Sequence, residues 1–223
     1  MRKYLLGGKT ALWIAASSLS GVAMADQPSV WGQNLSEQIH LASAATPNGS
    51  YEDFFERLRH MESSGNYGVV NTLNFLGAYQ FGEAALIDLG YVRRDGDIYD
   101  NDYSGGFTGK DGIRSVQDFL NNPAVQDEAA RDWMRIMWRY IRAEGLSRYA
   151  WREVGGVQMT PSGMLAATHL LGTGALKQFI ESNGQADIRD PYGMPLANYI
   201  NRLGGFDIPF GPNAPRDFAL ADV

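Results

Sequence analysis

Acid chemistry has one strong candidate in this chain, a glutamate at the end of an apolar helical pattern. Phe54, Leu58 and Met61 repeat at helical spacing, Glu62 comes next, and a turn through Gly65 ends the pattern. A carboxyl group at such a junction can be half buried, and desolvation then raises its pKa so that the protonated form persists near neutral pH. The alternative interpretation is a surface glutamate at a helix end that takes no part in chemistry.

A glutamine follows in a second short motif. The turn Glu62-Ser-Ser-Gly-Asn66 precedes the segment Gly77-Ala-Tyr-Gln80, and this pair of motifs resembles the lysozyme-like fold of lytic transglycosylases and goose-type lysozymes. In that family the glutamate ends a helix, and the Gly-x-x-Gln segment opens the next helix across the substrate cleft. The resemblance covers about residues 50–205 and implies a mostly α, single lysozyme-like domain with long loops.

The resemblance also implies roles for individual residues. Glu62 is expected to be the catalytic acid, and Gln80 and Tyr79 are expected to line the sugar cleft. Tyr67, Tyr79 and Tyr103 either stack on sugar faces or pack in the core. The full set of expected substrate-binding residues is Ser63, Tyr67, Tyr79, Gln80, Thr168 and His169.

One later segment departs from the family pattern. Residues 162–172 take the place of the Ala-Tyr-Asn-x-Gly motif of typical lytic transglycosylases, and Thr168 and His169 replace its Tyr-Asn pair. His169 either hydrogen-bonds the sugar or the Glu62 carboxyl group, or it is a core histidine bonded to the backbone. This segment and the motifs within residues 108–126 resemble a branch of secreted or phage-associated members of the superfamily.

The implied reaction is cleavage of the β-1,4 bond between N-acetylmuramic acid and N-acetylglucosamine in the glycan strands of peptidoglycan. Glu62 would protonate the glycosidic oxygen. In the lytic branch the same carboxylate would then take the proton of the C6 hydroxyl and give a 1,6-anhydro sugar. A hydrolase would instead need a second acid to position water, and Asp97, Asp100 and Asp102 are the candidates. The closer similarity to lytic transglycosylases favours the anhydro product.

Two other functions fit the same residues. A lysozyme-like module that binds peptidoglycan or an envelope partner without cleavage would explain the altered Thr168-His169 pair, although the retained Glu62 argues against it. A chitinase-like glycosidase is the other alternative, because chitin shares the N-acetylglucosamine unit.

Calcium is the one cofactor that a pattern suggests. Asp100, Asp102 and Ser104, with Phe107 at the eighth place and Asp111 at the twelfth, match most positions of a calcium-binding loop. The pattern lacks the preceding helix and has aspartate in place of the final glutamate, so a solvated acidic loop is the favoured interpretation. We therefore expect no cofactor and little or no dependence of activity on calcium.

Composition excludes several other classes. The 223 residues are 44% hydrophobic and 20% charged, which is typical of a globular chain. The 19 basic and 25 acidic residues give a net charge of −6, which disfavours nucleic-acid binding. The absence of cysteine excludes disulfides and cysteine-ligated zinc. The three histidines, His40, His60 and His169, do not form a His-Glu-x-x-His zinc motif.

The first 25 residues predict export. Three basic residues accompany an apolar run over residues 10–25 that ends Ala23-Met-Ala25, which is typical of a cleaved signal peptide. The run is shorter than the roughly 20 apolar residues that span a bilayer. We therefore expect no membrane span, a mature protein that begins at Asp26, and a periplasmic or secreted location.

The rest of the chain predicts the helices that would position Glu62. A polar leader over 26–49, with a short helix near 35–44, precedes a helix that starts after the Ser50-Tyr-Glu-Asp53 signal. A long loop over 91–112 and a Pro-containing tail over 206–223 are also expected. The further helices are predicted at 80–89, 113–120, 126–144, 162–171 with a continuation at 175–182 after a break at 172–174, and 196–203.

Overall fold

The computed structural model describes residues 49–209, and this part of the chain is mostly α, as predicted. The predicted signal peptide 1–25, the leader helix near 35–44 and most of the tail 206–223 lie outside the described residues. The helices are α1 (Tyr51–Ser63), α2 (Glu83–Asp88), α3 (Val116–Leu120), α4 (Pro123–Ala143), α5 (Pro161–Glu181) and α6 (Leu196–Arg202). Two 3₁₀ turns (Lys110–Gly112 and Leu146–Tyr149) and a two-stranded hairpin (β1, Glu153–Val154; β2, Val157–Gln158) complete the elements.

Helix α1 begins where the sequence predicts. The Ser50 hydroxyl accepts a hydrogen bond from the Asp53 amide at 3.2 Å, and the Asp53 carboxylate accepts one from the Ser50 amide at 2.7 Å. This reciprocal arrangement satisfies two amides that the first helical turn leaves without partners. The helix ends at Ser63, because Ser64 takes a left-handed conformation with φ 55°. Of the apolar residues predicted for its inner face, Phe54, Phe55 and Leu58 are buried, whereas Met61 is only partly buried.

Helices α4 and α5 form the centre of the fold. Helix α5 packs against both α4 and α6, and every residue from Pro161 to Leu171 is buried. A helix that is buried on all sides needs small and apolar residues around its whole circumference, as this one has. Helix α4 also buries an apolar stripe at helical spacing: Trp133, Met134, Met137, Trp138 and Ile141.

The predicted break in the fifth helix is a kink. Gly172 has φ 77° and ψ 171°, which is not a helical conformation, and the chain resumes helical geometry directly after it. This backbone conformation is accessible almost only to glycine. The sequence therefore predicted the position of the break, and the structure shows that the two halves remain one bent element.

Helix α2 starts later than predicted, at Glu83 rather than at Gln80. Gln80 has φ 50°, and the backbones of Leu76 and Phe81 exchange two hydrogen bonds of 2.9 Å, so the segment between them is a tight turn. Gly82 is then the N-cap of the helix. Because the backbone forms this turn at Gln80, no helical turn can form there and the helix begins at Glu83.

Two further boundaries differ for reasons of capping. The Ser115 hydroxyl accepts from the Asp118 amide, so α3 begins at Val116 rather than at Ile113. Asn122 caps α4 with Pro123 in its first turn, where proline needs no amide partner, so α4 begins at Pro123 and not at Gln126. The β1–β2 hairpin was not predicted, because two residues per strand are too few to show a period of two.

Within residues 49–209, none of the helices combines the length and the apolar character that crossing a bilayer requires.

We expect Gly172→Ala to lower the free energy of unfolding by about 1–3 kcal/mol, because alanine is strained at this φ and ψ. Gly174→Ala is the matched control. Gly174 is exposed and lies in a helical part of the same element, so alanine there should stabilise the protein by up to about 1 kcal/mol. Urea denaturation of both variants measures the difference, and equal effects at the two positions would contradict the assigned kink.

Candidate functional site

Glu62 lies in the last turn of α1, and its carboxyl group is buried in the protein. Only 1% of the residue is exposed. The helix directs Phe54, Phe55 and Leu58 into the core, and Glu62 lies on the same buried side, one turn after Leu58. The predicted half-buried acid is thus almost completely buried, and the surface-glutamate interpretation does not describe it.

Tyr199 of α6 provides the hydrogen bond to this carboxyl group. Its hydroxyl donates to Glu62 Oε1, and only 2% of Tyr199 is exposed. The two residues are far apart in the sequence, so the contact ties the end of α1 to α6. Sequence reasoning missed Tyr199, because a single tyrosine on a short amphipathic helix has no local pattern that separates it from a core residue.

His169 of α5 is the third member of the buried cluster. Its Nε2 atom lies 3.6 Å from Glu62 Oε1, which is too long for a hydrogen bond, and the ring is almost fully buried. A backbone interaction with Tyr79 favours the protonated ring. Nδ1 has no hydrogen-bond partner among the described residues. The sequence left open whether His169 contacts the sugar, Glu62 or the backbone. In the structure the ring lies beside Glu62 and also interacts with the backbone of Tyr79.

Burial sets the protonation states of this cluster. It raises the pKa of Glu62 to about 8; the Tyr199 hydrogen bond lowers that pKa, and the negative charge of Asp190 raises it further. Burial also lowers the pKa of His169 to about 4. At pH 7 the carboxyl group is therefore protonated and the imidazole is neutral, so the cluster carries no net charge.

Asp190 is the carboxylate whose charge acts on Glu62. It is 6% exposed and lies in the loop before α6. Its Oδ1 accepts hydrogen bonds from the amides of Tyr192 at 3.0 Å and Met194 at 2.7 Å. Asp190 therefore fixes the shape of this loop as well as the electrostatic potential at Glu62. Sequence reasoning did not identify it.

The two sequence motifs meet in the structure. Ser63 Oγ donates to the carbonyl oxygen of Ala78 at 2.9 Å, which joins the end of α1 to the Gly77–Gly82 turn. Gln80 Nε2 donates to the Gly77 carbonyl oxygen at 2.8 Å. Gln80 Oε1 is buried and has no hydrogen-bond partner within residues 49–209. Ser63 and Gln80 thus shape the turn beside Glu62.

Gln126 of α4 holds that turn from the other side. Its Oε1 accepts from the Ala78 amide at 2.9 Å, and its Nε2 donates to the Tyr67 carbonyl oxygen at 3.0 Å. A Cβ atom on Gly77 would lie 2.0 Å from Gln126 Oε1, so the approach requires glycine. Gln126 was noted in the sequence only as part of a resemblance, and the structure gives it a bridging role.

Tyr67 and Tyr79 share one acceptor. Both hydroxyl groups donate to Asp127 Oδ1, at 2.8 Å and 2.7 Å, and Arg59 donates to the Tyr79 oxygen at 2.9 Å. Arg59 also forms an ion pair with Asp127 at 3.3 Å. Tyr79 is fully buried and Tyr67 is partly exposed. Tyr79 therefore packs in the core, whereas Tyr67 keeps a solvent-facing part.

Thr168 and Tyr103 are also placed in the interior. Thr168 precedes His169 on α5, is 3% exposed, and its hydroxyl has no hydrogen-bond partner in the described part of the chain. The Tyr103 hydroxyl donates to the Asn74 carbonyl oxygen at 2.7 Å, and most of the ring is buried. Neither hydroxyl group forms a hydrogen bond with Glu62 within residues 49–209.

Two of the proposed second acids lie in a different cluster. Carboxylate oxygens of Asp100 and Asp102 come within 4.8 Å of each other and of the Glu83 carboxylate at the start of α2. Burial raises the pKa of Glu83 to about 7, the Tyr103 amide lowers it, and neighbouring Asp95 raises it. These oxygen atoms are the described group best able to hold a metal ion. Asp111, the last position of the predicted calcium loop, instead accepts from the Tyr91 hydroxyl at 2.7 Å.

A cavity of about 850 Å³ lies along the exposed side of α1. Its wall includes Met61 and Gly65, on either side of Glu62 in the sequence, together with Tyr67 and Arg202. Arg202 is one helical turn beyond Tyr199 on α6. Glu62 itself does not line the cavity.

No family model, curated protein or solved structure matches this chain.

We expect Glu62→Gln to flatten the pH dependence of stability. The native carboxyl group keeps its proton up to about pH 8, whereas the unfolded chain releases it near 4.5. The free energy of unfolding contributed by this group therefore falls as the pH rises through that window. The variant should gain stability relative to the wild type between pH 5 and pH 8, measured by urea denaturation.

Glu181→Gln, an exposed glutamate at the end of α5, is the control and should follow the wild type across the window. Comparison with the wild type cancels the contribution of His169, which both proteins retain. If Glu62→Gln and Glu181→Gln give parallel curves, the native carboxyl group does not have a raised pKa.

Proposed function

We propose that this protein is a peptidoglycan-cleaving enzyme of the lysozyme-like type, with Glu62 as its general acid and base. The observation that carries the proposal is a buried carboxyl group at the end of α1 that holds its proton at neutral pH. A general acid must be protonated at the working pH, and burial is the physical means of keeping a glutamate in that state. The turn motifs that resemble lytic transglycosylases supply the substrate class.

In the first step Glu62 donates its proton to the oxygen of the β-1,4 bond between N-acetylmuramic acid and N-acetylglucosamine. The bond to the anomeric carbon breaks, and positive charge develops on the sugar ring. The carboxylate that remains is stabilised by the Tyr199 hydroxyl, which donates to Glu62 Oε1. Neutral His169 adds no positive charge that would stabilise the carboxylate and release the proton before the substrate is bound.

In the second step the Glu62 carboxylate takes the proton of the sugar's own C6 hydroxyl, and that oxygen closes on the anomeric carbon. This route needs no second carboxylate. Asp190 is the described acid that acts electrostatically on Glu62, but two backbone amides already occupy its Oδ1. Asp100 and Asp102, proposed from the sequence as water-positioning acids, group with Glu83 instead.

The substrate must reach a carboxyl group that is 1% exposed. Two loops meet at the protein surface: the loop after α1 contains Thr72, and the loop before α6 contains Tyr192. Their hydroxyl groups lie 3.5 Å apart, and the Tyr192 side chain is 55% exposed. We infer that separation of these loops admits the glycan, in the manner of other loop-gated active sites.

A binding module without activity is the second candidate, and one observation favours it. Glu62 is fully buried and already paired with Tyr199, as a purely structural residue would be. Such a module would retain purified peptidoglycan and release no soluble fragments. Zymography on purified cell wall distinguishes the two functions, and the same assay on chitin tests the chitinase-like alternative. The predicted signal peptide fits either function, because both act outside the cytoplasm.

The sugar ends released from peptidoglycan should be 1,6-anhydro-N-acetylmuramic acid. The intramolecular closure adds no water, so each fragment is lighter by one water molecule than a hydrolysis product. Mass spectrometry of the digest measures this difference. Reducing N-acetylmuramic acid ends as the main product would reject the lytic route and make the enzyme a muramidase.

We expect Glu62→Gln to lose at least about 10²–10⁴-fold in turnover, because the amide can neither donate nor accept the catalytic proton. The amide retains the size of the acid, so the variant should fold. Peptidoglycan turnover and thermal unfolding are measured on the same preparation, with Glu181→Gln as the control for a glutamate change elsewhere. A folded Glu62→Gln protein with near wild-type turnover would remove Glu62 from the mechanism.

Tyr199→Phe tests the hydrogen bond to the acid. Wild-type activity should decline above about pH 8, where Glu62 loses its proton. Removal of the hydroxyl that favours the carboxylate should move this alkaline limb to higher pH. Tyr140→Phe, at a hydroxyl that bonds Asp88 on the surface, should leave the limb in place. An unchanged limb in Tyr199→Phe would show that Tyr199 does not position or tune the catalytic proton.

A further inference from the structure

We propose that Glu83, Asp100 and Asp102 form a calcium site that fastens the acidic loop 95–106 to the beginning of α2. One carboxylate oxygen from each residue lies within 4.8 Å of the other two. Calcium binds oxygen ligands at about 2.3–2.6 Å, so two ligands of one ion can lie up to about 5 Å apart. A single ion can therefore contact all three carboxylates.

Glu83 supplies the observation that distinguishes this group from an ordinary acidic surface loop. Its side chain is completely buried. The Oε2 atom accepts a hydrogen bond from the Tyr103 amide at 3.1 Å. Oε1 is buried and accepts no hydrogen bond among the described residues, and the other side chain that interacts with this carboxyl group is a second acid, Asp95. A buried carboxylate oxygen without a partner is costly, and a cation between Glu83 and the two aspartates would satisfy it.

The loop presents the aspartates in a fixed arrangement. Asp100 Oδ1 accepts from the Asp102 amide at 3.1 Å, and Asp102 Oδ1 accepts from the Ser104 amide at 2.7 Å. Each aspartate retains its second carboxylate oxygen for another partner. Asn101, which alternates with them, points inward, and its Oδ1 accepts from the Glu83 amide at 2.8 Å. The loop is thus already docked on the residue that would share the ion.

In the described part of the chain, no basic side chain forms an ion pair with this group. None of the ion pairs within residues 49–209 includes Glu83, Asp100 or Asp102. Asp95, which accepts from Ser104 Oγ at 2.9 Å, adds a further carboxylate nearby. Three or four carboxylates supply only oxygen ligands, which favour a hard divalent cation. The exposed sides of the aspartates leave room for water molecules as further ligands.

This site differs from the twelve-residue loop that the sequence suggested. Asp111 binds the Tyr91 hydroxyl and takes no part. The third ligand comes instead from Glu83, which precedes the loop on α2. The expected consequence is stability of the loop and not a step in bond cleavage, so the expectation of little calcium dependence in the activity is compatible with it.

Titration of the purified protein with calcium chloride, after removal of metal by a chelator, tests the site. We expect binding with Kd of about 10⁻⁴–10⁻³ M by calorimetry, in the range of exposed extracellular calcium modules. Above Kd, each tenfold increase in calcium should raise Tm by about 3–6 °C, since tenfold is worth about 1.4 kcal/mol. Magnesium chloride at the same concentrations should bind at least tenfold more weakly.

The variant Asp100→Asn/Asp102→Asn keeps the two Oδ1 acceptors that shape the loop and removes the charges. It should fold, retain a Tm near that of the calcium-free wild type, and lose at least tenfold in calcium affinity. Asp97→Asn changes an exposed acid of the same loop, whose Oδ1 accepts from the Tyr99 amide, and should bind calcium as the wild type does.

Three results would overturn the proposal. The first is a wild-type Tm that does not change with calcium and no heat of binding. The second is an equal Tm shift in Asp100→Asn/Asp102→Asn, which would place calcium elsewhere. The third is an equal loss of affinity in Asp97→Asn, which would show only a general effect of loop charge. Each result is independent of peptidoglycan cleavage.

Discussion

The burial of one carboxyl group organises the rest of this structure. Glu62 lies in the last turn of α1, and its Oε1 atom accepts a hydrogen bond from the hydroxyl of Tyr199 on α6. His169 of α5 packs beside it. A charged carboxylate is unfavourable in this environment, so at neutral pH the acid holds its proton. The same constraint joins three helices and creates a proton donor. The proposed chemistry therefore depends on the same buried group that joins these helices.

The turn beside Glu62 is fixed by long-range hydrogen bonds. Ser63 binds the Ala78 carbonyl oxygen, and Gln126 of α4 binds the Ala78 amide and the Tyr67 carbonyl oxygen. Satisfied buried hydrogen bonds of this kind hold a loop in one arrangement. The Asp127 carboxylate, with Tyr67, Tyr79 and Arg59 around it, braces the adjacent part of α1. The acid is consequently positioned from two sides.

Patterns within a few residues predicted the helices well, but they could not predict contacts between residues that are far apart in the sequence. The Ser50–Asp53 cap, the buried stripe of α4 and the break at Gly172 all follow from rules that operate within a few residues. The predicted start of α2 at Gln80 was wrong because the backbones of Leu76 and Phe81 pair with each other and form a turn there instead of a helix. Tyr199, Asp190 and Asp127 are single residues whose roles arise only when distant segments meet. The position of Glu62 at a helix end next to a glycine turn suggested a half-buried acid, whereas the structure buries it almost completely.

Glu62 must be a protonated, buried acid at neutral pH for the proposed chemistry, and infrared difference spectroscopy can observe its protonation state. Spectra of the wild type minus Glu62→Gln, recorded from pH 4 to pH 10, isolate the carboxyl bands of this residue. We expect a protonated C=O band at pH 7 that disappears with a midpoint near 8, the pKa that burial gives this group. Carboxylate bands at pH 7, with a midpoint near the ordinary value of 4.5, would show that Glu62 is ionised at neutral pH and is not the proposed proton donor.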